Sequence, residues 1–190
     1  MKNINKILLM VIVLAAALTL TLGAGGTTKS FSPYVDGKGN ITLPSEFRSA
    51  WVHLGTWVKT ANIPASPPGH SPGFHDVYAP PESVKAFRKD GRWPEGTVLV
   101  KEIRALKWDD LPTGHVIYAD DVSEWFVMVR DAKGRFPGNP NWGDGWGWAR
   151  FMAADPAKNK STDYKEDCMS CHDLAKDTDW VFVRGYPTLR

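Results

Sequence analysis

Residues 166–175 read EDCMSCHDLA and hold the chain's only two cysteines, Cys168 and Cys171, with His172 directly after the second. C-x-x-C-H is the attachment sequence of c-type haem: each thiol adds to a vinyl group, and the histidine ligates the iron. On a helix, positions i, i+3 and i+4 share a face, so the three side chains can grip one porphyrin edge with the imidazole under the iron. A structural zinc site needs about four ligands, and the chain has no second cysteine pair. A thioredoxin-like redox pair is expected after an early strand, whereas this pair lies near the C-terminus. A plain disulfide would leave His172 without a role. The spacing thus points to one covalently held haem c per chain, with His172 as the metal ligand.

The iron's other face would decide the chemistry. A methionine or histidine there makes an electron-transfer cytochrome. Outside the N-terminal run and the motif, the methionines are Met128 and Met152, and the remaining histidines are His53, His70, His75 and His115. A lysine adds a different prospect. In TVLVKEI, alternation places Leu99, Lys101 and Ile103 on one face of a strand and Val98, Val100 and Glu102 on the other. Either one of these charges turns inward or Lys101 is an exposed end-of-strand residue. An inward lysine loses solvation, its pKa falls, and its amine becomes a nucleophile.

The elements that must position these residues follow from the rest of the chain. Lys2 and Lys6 precede a run without charge from Ile7 to Leu22 and then GAGG, which reads as a cleaved secretory signal over residues 1–24 and implies an exported, periplasmic setting. Residues 25–46 read as an N-terminal extension and 47–190 as a single domain. Without Lys2 and Lys6, Lys plus Arg falls from 23 to 21 and equals Asp plus Glu, so a nucleic-acid partner is excluded on charge. Nine tryptophans could wall a flat ligand or fill the core.

FRSAWVHLGTWV (47–58) reads as a strand with both faces covered, and the Pro/Gly/Ser stretch 62–73 as a loop. A short strand at 75–78 leads to a helix that Pro81 can start and Gly91 can end, with Val84 and Phe87 on its buried side. Further strands are expected at 97–106, 115–119, 123–131 and 145–153, with a turn at Asp120-Asp121. The motif helix spans 161–175, capped by Ser161, Thr162 or Asp163, and DWVFVRGYPTLR closes the chain as one more strand. The expected fold class is α+β: a mainly antiparallel sheet with a few helices, and the attachment motif on a C-terminal one.

FRSAWVHLGT, VYAPPESVKAFRKDGRWPEGTVLVKE, VRDAKGRF and CMSCH with its tail DTDWVFVRGYPTLR occur in this order from Phe47 to Arg190. In them the chain resembles the cytochrome P-460 family, small exported mono-haem proteins related to the c′-β cytochromes. The resemblance implies an antiparallel β fold, often a homodimer, with His172 as proximal ligand and an open or water-bound distal site. In the P-460 branch a lysine, here Lys101, bonds to a porphyrin meso carbon and the haem oxidises hydroxylamine. The c′-β branch lacks that bond, binds nitric oxide and has phenylalanine near the distal face. The family's distal carboxylate corresponds here to Phe126, which cannot accept a proton; Glu124, two residues earlier on the same strand face, is the stand-in. The functions in view are hydroxylamine oxidation with electrons passed to a redox partner such as another cytochrome c, nitric oxide binding without catalysis, and plain electron transfer.

Overall fold

β-Branched and aromatic residues dominate the stretches around Lys101 and Phe126, and these stretches form the centre of an antiparallel sheet. The computed structural model describes residues 31–60 and 72–190. The expected signal sequence, the first residues of the extension and nearly all of the expected 62–73 loop, including His70, lie outside the described residues. Among those described, seven strands make one sheet: β1 (Val52–Lys59), β2 (Gly73–Ala79), β3 (Val98–Leu111), β4 (Gly114–Arg130), β5 (Trp142–Gly143), β6 (Trp146–Met152) and β7 (Asp155–Asn159). Their order is β1-β2-β3-β4-β6-β5, with β7 also paired to β6, and every pairing is antiparallel. The α+β expectation holds, with the attachment motif in a C-terminal helical stretch.

Register fixes what each face carries. Val77, Lys101, Phe126 and Arg150 stand side by side across β2, β3, β4 and β6. One row away stand Leu99, Met128 and Trp148, and on the other side Ile103 and Glu124. Directly paired residues point to the same side of a sheet, so Lys101, Phe126 and Glu124 share one face. That face is covered by the C-terminal segment, by helix α2 (Pro81–Asp90) and by the loop after it, through Val84, Trp93, Tyr164, Trp180, Val181 and Tyr186. The other face is covered by the chain from Phe31 onward, with Ile41 and Phe47 buried on Val98, Val100, Val127 and Val129. There Glu102, 1% exposed, accepts hydrogen bonds from Arg48 Nε (3.2 Å), Arg104 Nη1 (3.4 Å) and Trp125 Nε1 (2.7 Å). Both charges of the Lys-Glu pair therefore point into covered space, one on each side.

Helix α2 follows its sequence signals: Pro81 occupies the first turn, Gly91 ends the helix at φ 66°, and its N–H donates to Phe87 O at 2.8 Å. Four expectations need correction. Residues 47–58 are not one strand, because Phe47–Ala50 form a short helix, α1, before β1. A bulge between His53 and Gly55 then takes Leu54 out of the alternation, and Trp57 and Val58 remain exposed, so β1 is not covered on both sides. Asp120-Asp121 is not a turn but an irregularity within the continuous β4, where Arg104 Nε donates to Asp120 O at 2.9 Å; the reversal comes at Leu111–Gly114, with Gly114 at φ 118°. The C-terminal stretch is not a strand, since Val183–Gly185 and Pro187–Leu189 are 3-10 turns.

Those turns lie against β1. Thr188 Oγ1 donates to His53 O at 3.1 Å, and Arg88 Nε donates to Thr188 O at 2.8 Å. Two glycines permit the approach: a Cβ on Gly55 would fall 2.7 Å from Gly185 O, and one on Gly185 would fall 2.0 Å from the Trp57 ring.

Candidate functional site

The motif helix is not uniform. A π-turn at Lys165–Met169 carries Cys168, an α-helical turn at Ser170–His172 carries Cys171 and His172, and a 3-10 stretch, Asp173–Thr178, follows. π-Turns within helices frequently mark functional sites. The start is held by carboxylates: Asp163 Oδ1 accepts from Lys165 N at 2.9 Å, and Asp167 Oδ2 accepts from Thr162 N at 2.7 Å. The helix starts later than the expected 161, with Tyr164 at its N-cap making no side-chain capping bond; of the three expected caps, Asp163 accepts from Lys165 N and Thr162 Oγ1 donates to Asp167 Oδ2 at 3.5 Å.

Between this helix and the sheet lies a cavity of about 380 Å³. Cys168, Cys171 and His172 form one side, Leu99, Lys101, Phe126, Met128 and Trp148 the sheet side, and Trp57, Phe182 and Tyr186 close the rim. The sequence named the first three and the Lys101–Phe126 pair. It offered tryptophans only collectively, and the structure divides them: Trp57 and Trp148 wall the cavity, while Trp93 and Trp146 fill core.

His172 is arranged as a ligand. Its Nδ1 lies 2.6 Å from the carbonyl oxygen of Trp180. A carbonyl can only accept, so Nδ1 carries the proton and Nε2 keeps its lone pair. Burial lowers the imidazole pKa to about 4, which keeps the ring neutral. Trp148 meets the ring edge-on at 4.8 Å between centroids, and Phe182 lies at 5.7 Å. Burial raises the Cys168 thiol to about 12, so in these surroundings it is a protonated thiol rather than a metal-binding thiolate. Neither cysteine is in a disulfide, and among the described residues no cluster of three or more His, Cys, Asp or Glu is placed to hold a metal.

Lys101 is half-buried, with Nζ 4.3 Å from the centre of the Phe126 ring. Burial lowers its pKa to about 8, against the opposing pull of Glu124. Phe126 also lies 5.5 Å from the Arg150 guanidinium. Glu124 is 1% exposed, its Oε2 accepts from Arg150 Nε at 2.6 Å, and it is not among the described residues lining the cavity. The expected stand-in carboxylate is therefore committed to Arg150 and does not face the space where a ligand would sit.

Of the other ligands in view, Met128 and His75 line the cavity. Exposed His53 bonds Thr56 and Asp76, and His115 pairs with Asp110 out on the β3–β4 hairpin. A mainly apolar cavity with two thiols and a neutral imidazole on one side suits an iron-bearing macrocycle: Nε2 keeps its lone pair for the iron, and both thiols are within the same lining.

A family model described as Cytochrome P460 matches residues 44–183, and no curated protein matches the chain. The matched stretch includes Lys101, Phe126 and the whole attachment motif. The cavity, its ligand-ready histidine and this match lead to one conclusion: the chain belongs to the cytochrome P460 family, whose members carry haem.

Proposed function

We propose that the chain holds one haem c through thioethers at Cys168 and Cys171, with His172 Nε2 as proximal ligand and Lys101 Nζ bonded to the macrocycle, and that it acts on small nitrogen compounds. The observation that carries this reading is the presence of Lys101 on the same cavity wall system as both thiols and His172, with its pKa lowered by burial. When bound, the haem supplies an iron site for the nitrogen ligand and a route for its electrons. The chain's own residues bind, orient and desolvate. A lysine bond to a ring carbon removes one hydrogen from each partner, and a two-electron oxidant must accept the electrons. Attachment by thioethers agrees with the export signal expected at residues 1–24 and with an exported redox partner such as another cytochrome c.

Haem staining on a denaturing gel tests attachment, and changing both Cys168→Ala and Cys171→Ala is expected to abolish it. The intact mass is expected to be two hydrogens below protein plus thioether-linked haem. Lys101→Ala should keep the haem and lose the red-shifted absorption of a cross-linked macrocycle. An ordinary haem c spectrum in the unmutated protein would defeat the cross-link.

A second reading, nitric oxide binding of the c′-β kind, is favoured by Phe126. Its ring dries the wall beside Lys101, and a dry wall suits a neutral diatomic better than a ligand that must shed protons.

A further inference from the structure

Asp179 and Trp180, just beyond the motif helix, are consecutive non-glycine residues with left-handed backbone, at φ 58° and 65°. That conformation costs an L-residue about 1–2 kcal/mol, and non-glycine residues ordinarily adopt it singly. Strain of this kind persists where the surroundings enforce it, and it clusters at functional sites. Here it shapes a tight return of the chain. Asp179 N donates to Lys176 O at 3.2 Å, Trp180 N donates to Ala175 O at 2.9 Å, and the Trp180 carbonyl is left aimed at His172 Nδ1.

A charged side chain from the sheet meets this turn. Arg130, the last residue of β4, places Nη2 3.4 Å from Asp179 Oδ1, and the side chains are only 18% and 23% exposed. Arg130 is itself fixed, because Nη1 donates to Gly145 O at 2.7 Å and the guanidinium lies 5.3 Å from the Trp146 ring. Nη1 occupies the space that a side chain at Gly145 would take, since a Cβ there would fall 2.1 Å from it. By strand alternation Arg130 shares its sheet face with Met128 and Phe126. The pair thus ties the turn that holds the imidazole to the strand that forms the opposite wall of the cavity.

We propose that Arg130 and Asp179 are positioning residues for the iron ligand: their ion pair holds the strained 179–180 turn, and through the Trp180 carbonyl it fixes the ring orientation and electron donation of His172. An Nδ1–H donated to a carbonyl makes the imidazole a stronger donor, which stabilises oxidised iron. This rests on the haem reading given above.

The test compares the unmutated holoprotein with Asp179→Asn, Arg130→Gln, the double variant and Arg130→Lys. Intact mass first establishes attached haem in each. Resonance Raman spectroscopy of the ferrous protein then reads the iron–histidine stretch, and potentiometry reads the reduction potential. The stretch is expected to fall and the potential to rise in both single variants, with no further change in the double variant and substantial recovery in Arg130→Lys. Unmoved stretch and potential in the single variants would overturn the proposal, and so would simply additive shifts. Loss of attached haem from the single variants also counts against it, because the pair is assigned to tune the ligand rather than to build the site. An unmutated protein lacking attached haem is a failure of the haem reading and is recognised by mass alone. In that event the NMR shift of the His172 Nδ1 proton decides: it must move upfield in Asp179→Asn and Arg130→Gln for the positioning role to stand.

Discussion

At position 126, where the family resemblance implies a proton-accepting carboxylate, this chain has a phenylalanine ring. It sits between the Lys101 ammonium and the Arg150 guanidinium, at 4.3 and 5.5 Å from its centre. A carboxylate there would meet Arg150 and stay ionised, ready to take a proton from iron-bound hydroxylamine. Positioned bases contribute about 100 to 10,000-fold, so Phe126→Glu is expected to raise hydroxylamine oxidation by about 100-fold or more at matched haem content and intact cross-link. Fast turnover by the unmutated protein would remove the premise. Lys101 allows a second check in haem-free protein with Cys168→Ala and Cys171→Ala. Its pKa is lowered from 10.5 to about 8 by burial, so its neutral fraction appears about two and a half pH units before that of a solvated lysine. Acylation of Lys101, followed by peptide mass, is expected to rise with a midpoint near pH 8. A midpoint near 10.5 would mean that the amine is hydrated and no better a nucleophile than a surface lysine.

Elements place these residues through close contacts as much as through hydrogen bonds. The C-terminal turns close the cavity rim because Gly185 lets the chain lie on Trp57. Gly185→Ala puts a methyl into the indole, and overpacking of this kind costs about 1–3 kcal/mol. The expected result is a lower unfolding midpoint together with a changed haem absorption band, since Trp57 must shift. Gly91→Ala is the contrasting case. Nothing lies within 4 Å of the added carbon, but φ is 66°, so the cost is conformational, about 1 kcal/mol, and the haem spectrum should not change. Equal spectral effects from the two substitutions would contradict this division.

For the molecule as a whole, the sheet separates two jobs. One face bears the cavity, and the other is a sealed core whose buried carboxylate, Glu102, is matched by Arg48, Arg104 and Trp125. Glu102→Gln keeps the shape but removes the charge from these donors. It is expected to lower stability by about 1–3 kcal/mol without loss of attached haem, measured by denaturant unfolding and by mass. An unchanged midpoint would show that the network contributes nothing net. The β3–β4 hairpin extends beyond both neighbouring strands and leaves Trp108 69% exposed.

What depends on near neighbours is legible in the residues alone. Cysteine spacing and the following histidine define an attachment motif, Pro81 and Gly91 bound a helix, and alternation puts Lys101 and Glu102 on opposite faces of a strand whichever way that strand is packed. What depends on which distant group arrives follows from packing. DWVFVRGY has the composition of a strand, yet its backbone groups bond locally in 3-10 turns while its side chains seal the cavity over β1. Asp120-Asp121 has the composition of a turn, but Arg104 from the paired strand takes the Asp120 carbonyl and carries β4 straight through. Glu124 was legible as an acid on the right face; only packing committed it to Arg150. The proton position on His172 is set by a carbonyl eight residues away, delivered by a strained turn and an arginine from the sheet. No local pattern encodes that meeting, because its partners become neighbours only when the C-terminal segment folds across the sheet.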